Sequence, residues 1–228
     1  MTDDLRRHTR IIEPAVIDDD NQRAVIEAAN AIEQFDAVLD LINDVVRGGR
    51  PFRLRPSTVL TLHSIAMTGV HPLAGTFRNT PVGIEGSKHQ PPREHLVAVL
   101  IEDMCDWVEQ NWATSSAVRL CAYVMWRLNW IHPFADGNGR TSRAVAYLVL
   151  CARTGFSLPG SKTIPEQIAD NRKPYYDALE TLDTNHAAGD PDTSAMETLL
   201  EACLQKQLES ALTAAMSTAP VGIERKFR

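Results

Sequence analysis

A twelve-residue stretch, His132-Pro-Phe-Ala-Asp-Gly-Asn-Gly-Arg-Thr-Ser-Arg143, concentrates side chains that handle phosphate. Gly137 and Gly139 admit backbone conformations closed to other residues and leave N–H groups exposed. With the first turn of a helix starting near Arg140, those donors predict a positive pocket suited to an anion. Arg140 and Arg143 stand three residues apart, which puts them on one helix face. Two guanidinium forks beside a helix N-terminus suit a di- or triphosphate. Asp136 is the only carboxylate of the stretch, and beside a polyphosphate its natural role is to hold Mg²⁺. His132 can accept a proton near neutral pH, and Asn138 offers an amide donor for charge developing on a phosphoryl oxygen. Phe134, apolar within a polar loop, is expected to anchor the loop in the core. The chemistry is therefore phosphoryl or nucleotidyl transfer with a metal and a general base. Residue types alone leave attack at the α- and γ-phosphates as alternatives.

Such a loop needs rigid neighbours, and the flanking sequence supplies them. Helical patterns run over Ser115–Trp130 and Arg140–Thr154, with inner faces formed by Val118, Cys121, Val124, Met125 and Leu128, then by Ala144, Tyr147, Leu148 and Cys151. Upstream, Val25, Ile26, Ala29, Ile32, Phe35, Val38, Leu39, Ile42 and Val45 predict an amphipathic helix over residues 21–46, stopped by Gly48-Gly49-Arg50-Pro51. Further helices are predicted over Ser57–Met67 and Arg93–Trp112. A capping box at Thr163-Ile-Pro-Glu166 predicts one reaching about Leu182, and a second box at Ser194-Ala-Met-Glu197 predicts one through about Met216. Residues 71–92 are rich in glycine and proline and lack a helical period. Short extended pieces at Thr76–Asn79 and Pro81–Ile84 around a Glu85-Gly86-Ser87 turn predict a small hairpin. The fold class is mainly α, with that one hairpin.

Composition narrows the partners. The chain has 228 residues and a net charge of −6, from 23 basic and 29 acidic side chains, so no bulk attraction draws it to nucleic acid or acidic lipid. No apolar run is long enough to cross a bilayer and the start is polar, so a cytoplasmic protein with no membrane partner is expected. Cys105, Cys121, Cys151 and Cys203 lack metal or redox spacing and read as reduced core thiols. His71, His89 and His95 read as loop or surface residues, and the four tryptophans as core or interface residues.

The stretch from His132 to Arg143 resembles the Fic signature, His-x-Phe-x-(Asp/Glu)-Gly-Asn-Gly-Arg-x-x-Arg, at all eight of its fixed positions. Gly75-Thr-Phe-Arg-Asn79 through Gly86-Ser-Lys-His89 resembles the flap hairpin of that Fic/Doc family, and Asn171 to Tyr175 its Asn-x-x-x-Tyr element near the nucleotide base. The resemblance implies a Fic-type helical bundle with a flap over the active site, and transfer of AMP from ATP to a Ser, Thr or Tyr hydroxyl of a protein. It implies His132 as the general base, Asp136 as the Mg²⁺ ligand, and Gly137, Asn138 and Gly139 as the anion hole. Arg140 and Arg143 would hold the β- and γ-phosphates. The target would dock edge-on along the flap, about Thr76–Lys88. The complete Gly-Asn-Gly-Arg favours AMP over phosphate. A nucleotide-sensing module without turnover, transfer of UMP or phosphate, and removal of AMP are the alternatives.

The resemblance spans residues 51–183, leaving an N-terminal helical extension over 1–50 and a C-terminal one over 184–228. Many family members are silenced by a glutamate in Ser/Thr-x-x-x-Glu-(Gly/Asn) that pairs with the last motif arginine, here Arg143. Glu27 and Glu197 are the intrachain candidates, although Glu27 lacks the preceding Ser/Thr and Glu197 completes a capping box. A separate antitoxin-like protein is the alternative restraint.

Overall fold

Helix begins where the chain first offers a cap: the Asp19 carboxylate accepts from the Asn21 and Gln22 amides and opens helix α1, Asp20–Gly48. The computed structural model describes residues 9–10, 19–48, 51–187 and 192–218; the expectations for the remaining residues lie outside it. The other helices are α2 (Pro56–Met67), α3 (Val97–Asn111, entered through a 3₁₀ turn at Glu94–Leu96), α4 (Ala117–Ile131), α5 (Asn138–Thr154), α6 (Ile164–Asp170), α7 (Lys173–Ala187) and α8 (Ser194–Thr218). Helices α4 and α5 lie at the centre, and nearly every residue of α5 from Ala144 to Ala152 is buried. One apolar cluster extends from Val38 and Ile42 of α1 through α2–α7 to Met196, Leu200 and Cys203 of α8. The described helices of the two extensions, α1 and α8, therefore pack on the core of the middle segment. All four cysteines are buried and free.

Three elements differ from the sequence expectation. The helix opened by the Thr163–Glu166 box stops at Asp170 and restarts at Lys173. Pro174 has no N–H for a continuing helix and its ring would meet the carbonyl of Asp170. At α8 the capping register shifts by one residue: the Thr193 hydroxyl donates to Glu197 at 2.6 Å, while the Ser194 amide donates to Asp192. Glu197 is thus spent on its own helix start, away from the motif. In the flap, Gly83–Ile84 (β2) pairs antiparallel with Thr9–Arg10 (β1), in the register Thr9 to Ile84 and Arg10 to Gly83, and among the described residues no strand pairs within the flap itself.

Helix α1 also departs from its predicted apolar face. Val25 and Ile32 are 69% and 66% exposed. Ile26, Phe35, Val38, Leu39 and Ile42 still pack inward, but they share the inward side with Arg23, Glu27, Asn30 and Gln34, which make its first half largely polar. The reason lies in what that half meets. Asn30 donates to the Thr68 carbonyl at 2.7 Å and Gln34 to the Leu62 carbonyl at 2.8 Å, so they serve backbone groups along and just past α2. Arg23 meets Asp136 in the loop before α5, and Glu27 meets Arg140 in the first turn of α5.

Candidate active site

Helix α4 ends at His132, whose backbone is left-handed (φ 50, ψ 59) and whose amide donates to the Leu128 carbonyl. That conformation is unusual for a residue with a side chain, and here the surroundings over-determine it. Arg78 of the flap is 3% exposed. It donates from Nε to the His132 carbonyl at 2.7 Å and from Nη2 to the Ile131 and Pro92 carbonyls at 3.3 and 2.5 Å. Its own amide donates to the Pro133 carbonyl at 2.9 Å. A buried cation therefore caps the negative end of α4 and ties the flap to the loop. The His132 ring is 5% exposed, and its Nδ1 lies 3.2 Å from the Asn129 carbonyl. A carbonyl only accepts, so Nδ1 carries the proton and Nε2 carries the lone pair.

From there the loop is held from beneath. Phe134 is fully buried and stacks on His63, ring centroids 3.6 Å apart and nearly parallel. The Gly75 amide donates to His63 Nδ1 at 2.9 Å, which leaves Nε2–H to donate to the Asp136 carbonyl at 3.0 Å. Burial pushes the His63 imidazole down to about 4, so it stays neutral near pH 7 in this bridge. Asn138 closes the loop on itself: its Oδ1 accepts from the Phe134 amide at 2.9 Å and its Nδ2 donates to the Phe134 carbonyl at 2.8 Å. The sequence reading aimed that amide at phosphate. In the structure these two bonds hold the loop's shape, and the side chain also lines the cavity described below.

Gly137 precedes α5 with φ 76 and opens the helix, which starts at Asn138, two residues ahead of the expected Arg140. Asp136 directs Oδ1 at the Gly137 amide (2.6 Å) and Oδ2 at Arg23 (2.7 Å). Burial alone would raise its carboxyl, but Arg140, the Gly137 hydrogen bond and Arg23 outweigh it and hold the group below the usual carboxylate range. Glu27 accepts from Arg23 at 2.9 Å and approaches Arg140 Nη2 at 3.5 Å. Arg140 Nη1 is buried without a partner. Arg143 is sunk deeply enough that burial lowers its pKa, the nearby Tyr175 and Tyr176 partly offsetting this, and among the described residues no carboxylate pairs with it. A desolvated guanidinium in that setting fits an anionic ligand.

These groups converge on one cavity of about 330 Å³. His132, Asp136, Gly137, Asn138, Gly139, Arg140, Arg143 and Tyr175 all line it, together with Ile84 of the flap. Asn171 does not: it is exposed at the end of α6, and Arg172 and Tyr176 line the wall instead. Asn129 also lines the cavity and donates to the Tyr175 hydroxyl at 2.7 Å and to Ser142 at 2.8 Å.

Comparison with known proteins agrees with this geometry. Residues 53–150 match the family model described as Fic/DOC family. The protein adenylyltransferase Fic of Drosophila willistoni is 32% identical over 158 residues, which cover 68% of this chain and 29% of that protein. That of Culex quinquefasciatus is 30% identical over 192 residues, covering 83% of this chain and 35% of that protein. The chain belongs to the Fic/DOC family. It spans under a third of the length of the Drosophila relative. Solved structures share the Fic fold. A Fic family protein from Desulfovibrio desulfuricans superposes with a TM-score of 0.61 at 21% identity, over 93% of this chain and 57% of that one. Residues 134–508 of Fic-1 from C. elegans give 0.61 at 24% identity, over 86% and 54%.

Within this Fic site, sequence reasoning missed Arg23, His63, Asn129, Arg172 and Tyr176, and saw Arg78 only as part of the flap. For Arg23 a signal existed: the spacing from Arg23 through Glu27, Asn30 and Gln34 to Val38 and Ile42 keeps all six on one helix face. Glu27 was weighed against Arg143, the last motif arginine. It meets Arg140 and Arg23 instead.

Proposed function

We propose that the chain transfers AMP from ATP to a Ser, Thr or Tyr hydroxyl of a protein. The observation that carries this reading is the convergence on one cavity of an oriented imidazole lone pair with the anion-binding groups of the loop and α5. In the proposed step His132 Nε2 takes the hydroxyl proton as that oxygen attacks the α-phosphorus in line. The bond from the α-phosphorus to the bridging oxygen breaks and pyrophosphate leaves. Arg140, with a buried Nη1 lacking a partner, and Arg143, half-buried with no carboxylate paired to it among the described residues, suit the β- and γ-phosphates. The backbone amides of Gly137–Gly139 suit the developing negative charge. AMP as the transferred group is favoured by the intact Gly137-Asn-Gly-Arg140 and by the adenylyltransferase relatives.

Asp136 fits a Mg²⁺ ion. It is an ionised carboxylate facing the cavity, and its Oδ2 already accepts a cation, Arg23. Among the described residues no cluster of three or more metal-ligating side chains exists, which matches an ion that takes one carboxylate and completes its shell with phosphate oxygens and water. Bound there, Mg²⁺ would neutralise charge on the nucleotide phosphates.

Target docking by strand addition is supported at Gly83–Ile84, because that backbone already pairs with an extended segment of the chain itself, Thr9–Arg10. A target strand would take the place of that segment. Ile84 lines the cavity, so a hydroxyl paired near it would be carried toward His132. Four buried free thiols, and the lack among the described residues of any helix long and apolar enough to span a membrane, suit a cytoplasmic setting.

Glu27 is the restraint this reading favours over a separate inhibitor, since it stands between Arg23 and Arg140 where a phosphate would sit. The test uses labelled ATP and Mg²⁺ with Glu27→Gly and Glu27→Gly/His132→Ala, alone and with lysate. Labelling should rise in the first and vanish in the second; equal labelling of the two refutes the proposal. Mass spectrometry of the labelled protein should give the added mass of AMP, and any other mass rules out the donor or group named here.

A further inference from the structure

We propose that Arg23 is a built-in cation that holds the metal position of Asp136 closed, so that a metal enters only by displacing the Arg23 side chain. This rests on the reading of Asp136 as the Mg²⁺ ligand and deepens it. It concerns a group of this chain that neither the motif nor the expected glutamate pairing accounts for.

The geometry makes the two cations mutually exclusive. Asp136 has two carboxylate oxygens, and Oδ1 is engaged by the Gly137 amide inside the loop. Oδ2 is the oxygen that Arg23 Nη2 occupies at 2.7 Å. A Mg²⁺ ion coordinates oxygen at about 2.0–2.1 Å and demands a near-octahedral shell, which a guanidinium on the same oxygen would obstruct and repel. Arg23 is itself aimed by Glu27, one turn along the same helix at 2.9 Å. Asp136, Arg23, Glu27 and Arg140 thus form a run of alternating charge across the cavity mouth. Mg²⁺ would replace the arginine of that run, and the nucleotide phosphates would replace its glutamate. Each ligand would then break one end of the same latch, and either one would ease entry of the other.

The ion pair is not what docks α1. Val38 and Ile42 are buried in the main core, and Asn30 and Gln34 hold the backbone beside them. The Arg23 and Asp136 side chains remain 29% and 34% exposed, a setting in which an ion pair adds little to folding. A pair that contributes little to stability can still compete with a ligand for its own carboxylate.

The experiment measures metal binding without catalysis. Mn²⁺ is titrated into the full chain and followed by electron paramagnetic resonance, alone and with the non-hydrolysable analogue AMP-PNP. Wild type is compared with Arg23→Gln, Arg23→Lys and Asp136→Asn, all checked by thermal melting. Arg23→Gln is expected to tighten Mn²⁺ binding about two- to fivefold, the competition that a partly exposed ion pair can exert. Arg23→Lys keeps the charge and should stay near wild type, and Asp136→Asn should abolish the site. Equal Mn²⁺ affinity in wild type and Arg23→Gln, with Asp136→Asn still losing the site, overturns the proposal. Because the readout is metal binding, that failure is separable from a failure of AMP transfer. Glu27→Gly/His132→Ala decides the transfer, whatever Mn²⁺ does at Arg23.

Discussion

Gly137 and Gly139 stand two residues apart in the same loop, yet adding a methyl group to each should produce opposite phenotypes. Gly137 has φ +76, and a Cβ built there would lie 2.6 Å from Met67 Sδ and 2.9 Å from its Cγ. Met67 is fully buried, so it has little room to retreat. The left-handed backbone costs about 1–2 kcal/mol for an L-residue. Forcing a methyl into a packed site costs roughly another 1–3 kcal/mol. Gly137→Ala should therefore lose about 2–5 kcal/mol, or roughly 5–15 °C in Tm for a chain of this length. Gly139 lies in the first turn of α5, and a Cβ there would meet only the Arg143 Nη1 atom, at 3.2 Å. Its backbone accepts alanine, so Gly139→Ala should stay within about 1 kcal/mol of wild type in stability. The methyl would instead press on the guanidinium assigned to phosphate, and ATP-analogue affinity should fall. Thermal melts and calorimetric titration of AMP-PNP, run side by side on both variants, check the pair. If Gly137→Ala melts like wild type, or if Gly139→Ala binds the nucleotide unchanged, the account of what each glycine does is wrong.

Arg78→Ala should cost roughly 3–6 kcal/mol in chemical denaturation, because two buried carbonyls, those of Ile131 and His132, lose a charged donor. Arg78→Lys should recover only part of it, since one ammonium cannot span the four carbonyls the fork now reaches, and full recovery would argue against the fork. Tyr175→Phe removes a hydroxyl bonded to Asn129 and should lose about 1 kcal/mol with little change in AMP-PNP affinity; a large loss of affinity would mean that the hydroxyl itself meets the ligand. Replacing Thr9 and Arg10 by proline disrupts their pairing with β2, and should lower the KM for a protein target while leaving ATP-analogue affinity unchanged. A raised KM would show that the segment helps targets bind.

Charge and backbone chemistry are local properties, and the sequence by itself determined what depends on them. Between two apolar-patterned helices, a histidine, a carboxylate, two glycines and two arginines read as a phosphate site with a base, because each residue type permits few other uses in that order. Helix starts and stops were legible for the same reason, in the Thr163–Glu166 box and the halt at Gly48. What the sequence left undecided is what approaches the motif from more than a hundred residues away. Arg23 reads as the polar side of a surface helix, and Glu27 as a candidate partner of Arg143, until α1 is laid across the loop, when Arg23 meets Asp136 and Glu27 meets Arg140. Asn138 reads as an amide donor to phosphate, and only the closed loop shows that its amide also holds Phe134. Asn171 and Tyr175 read as a pair until Pro174 breaks the helix, leaving the asparagine outside the cavity and the tyrosine within it. A side chain's type limits the bonds it can make. Which of those bonds form depends on distances that only the packed chain establishes.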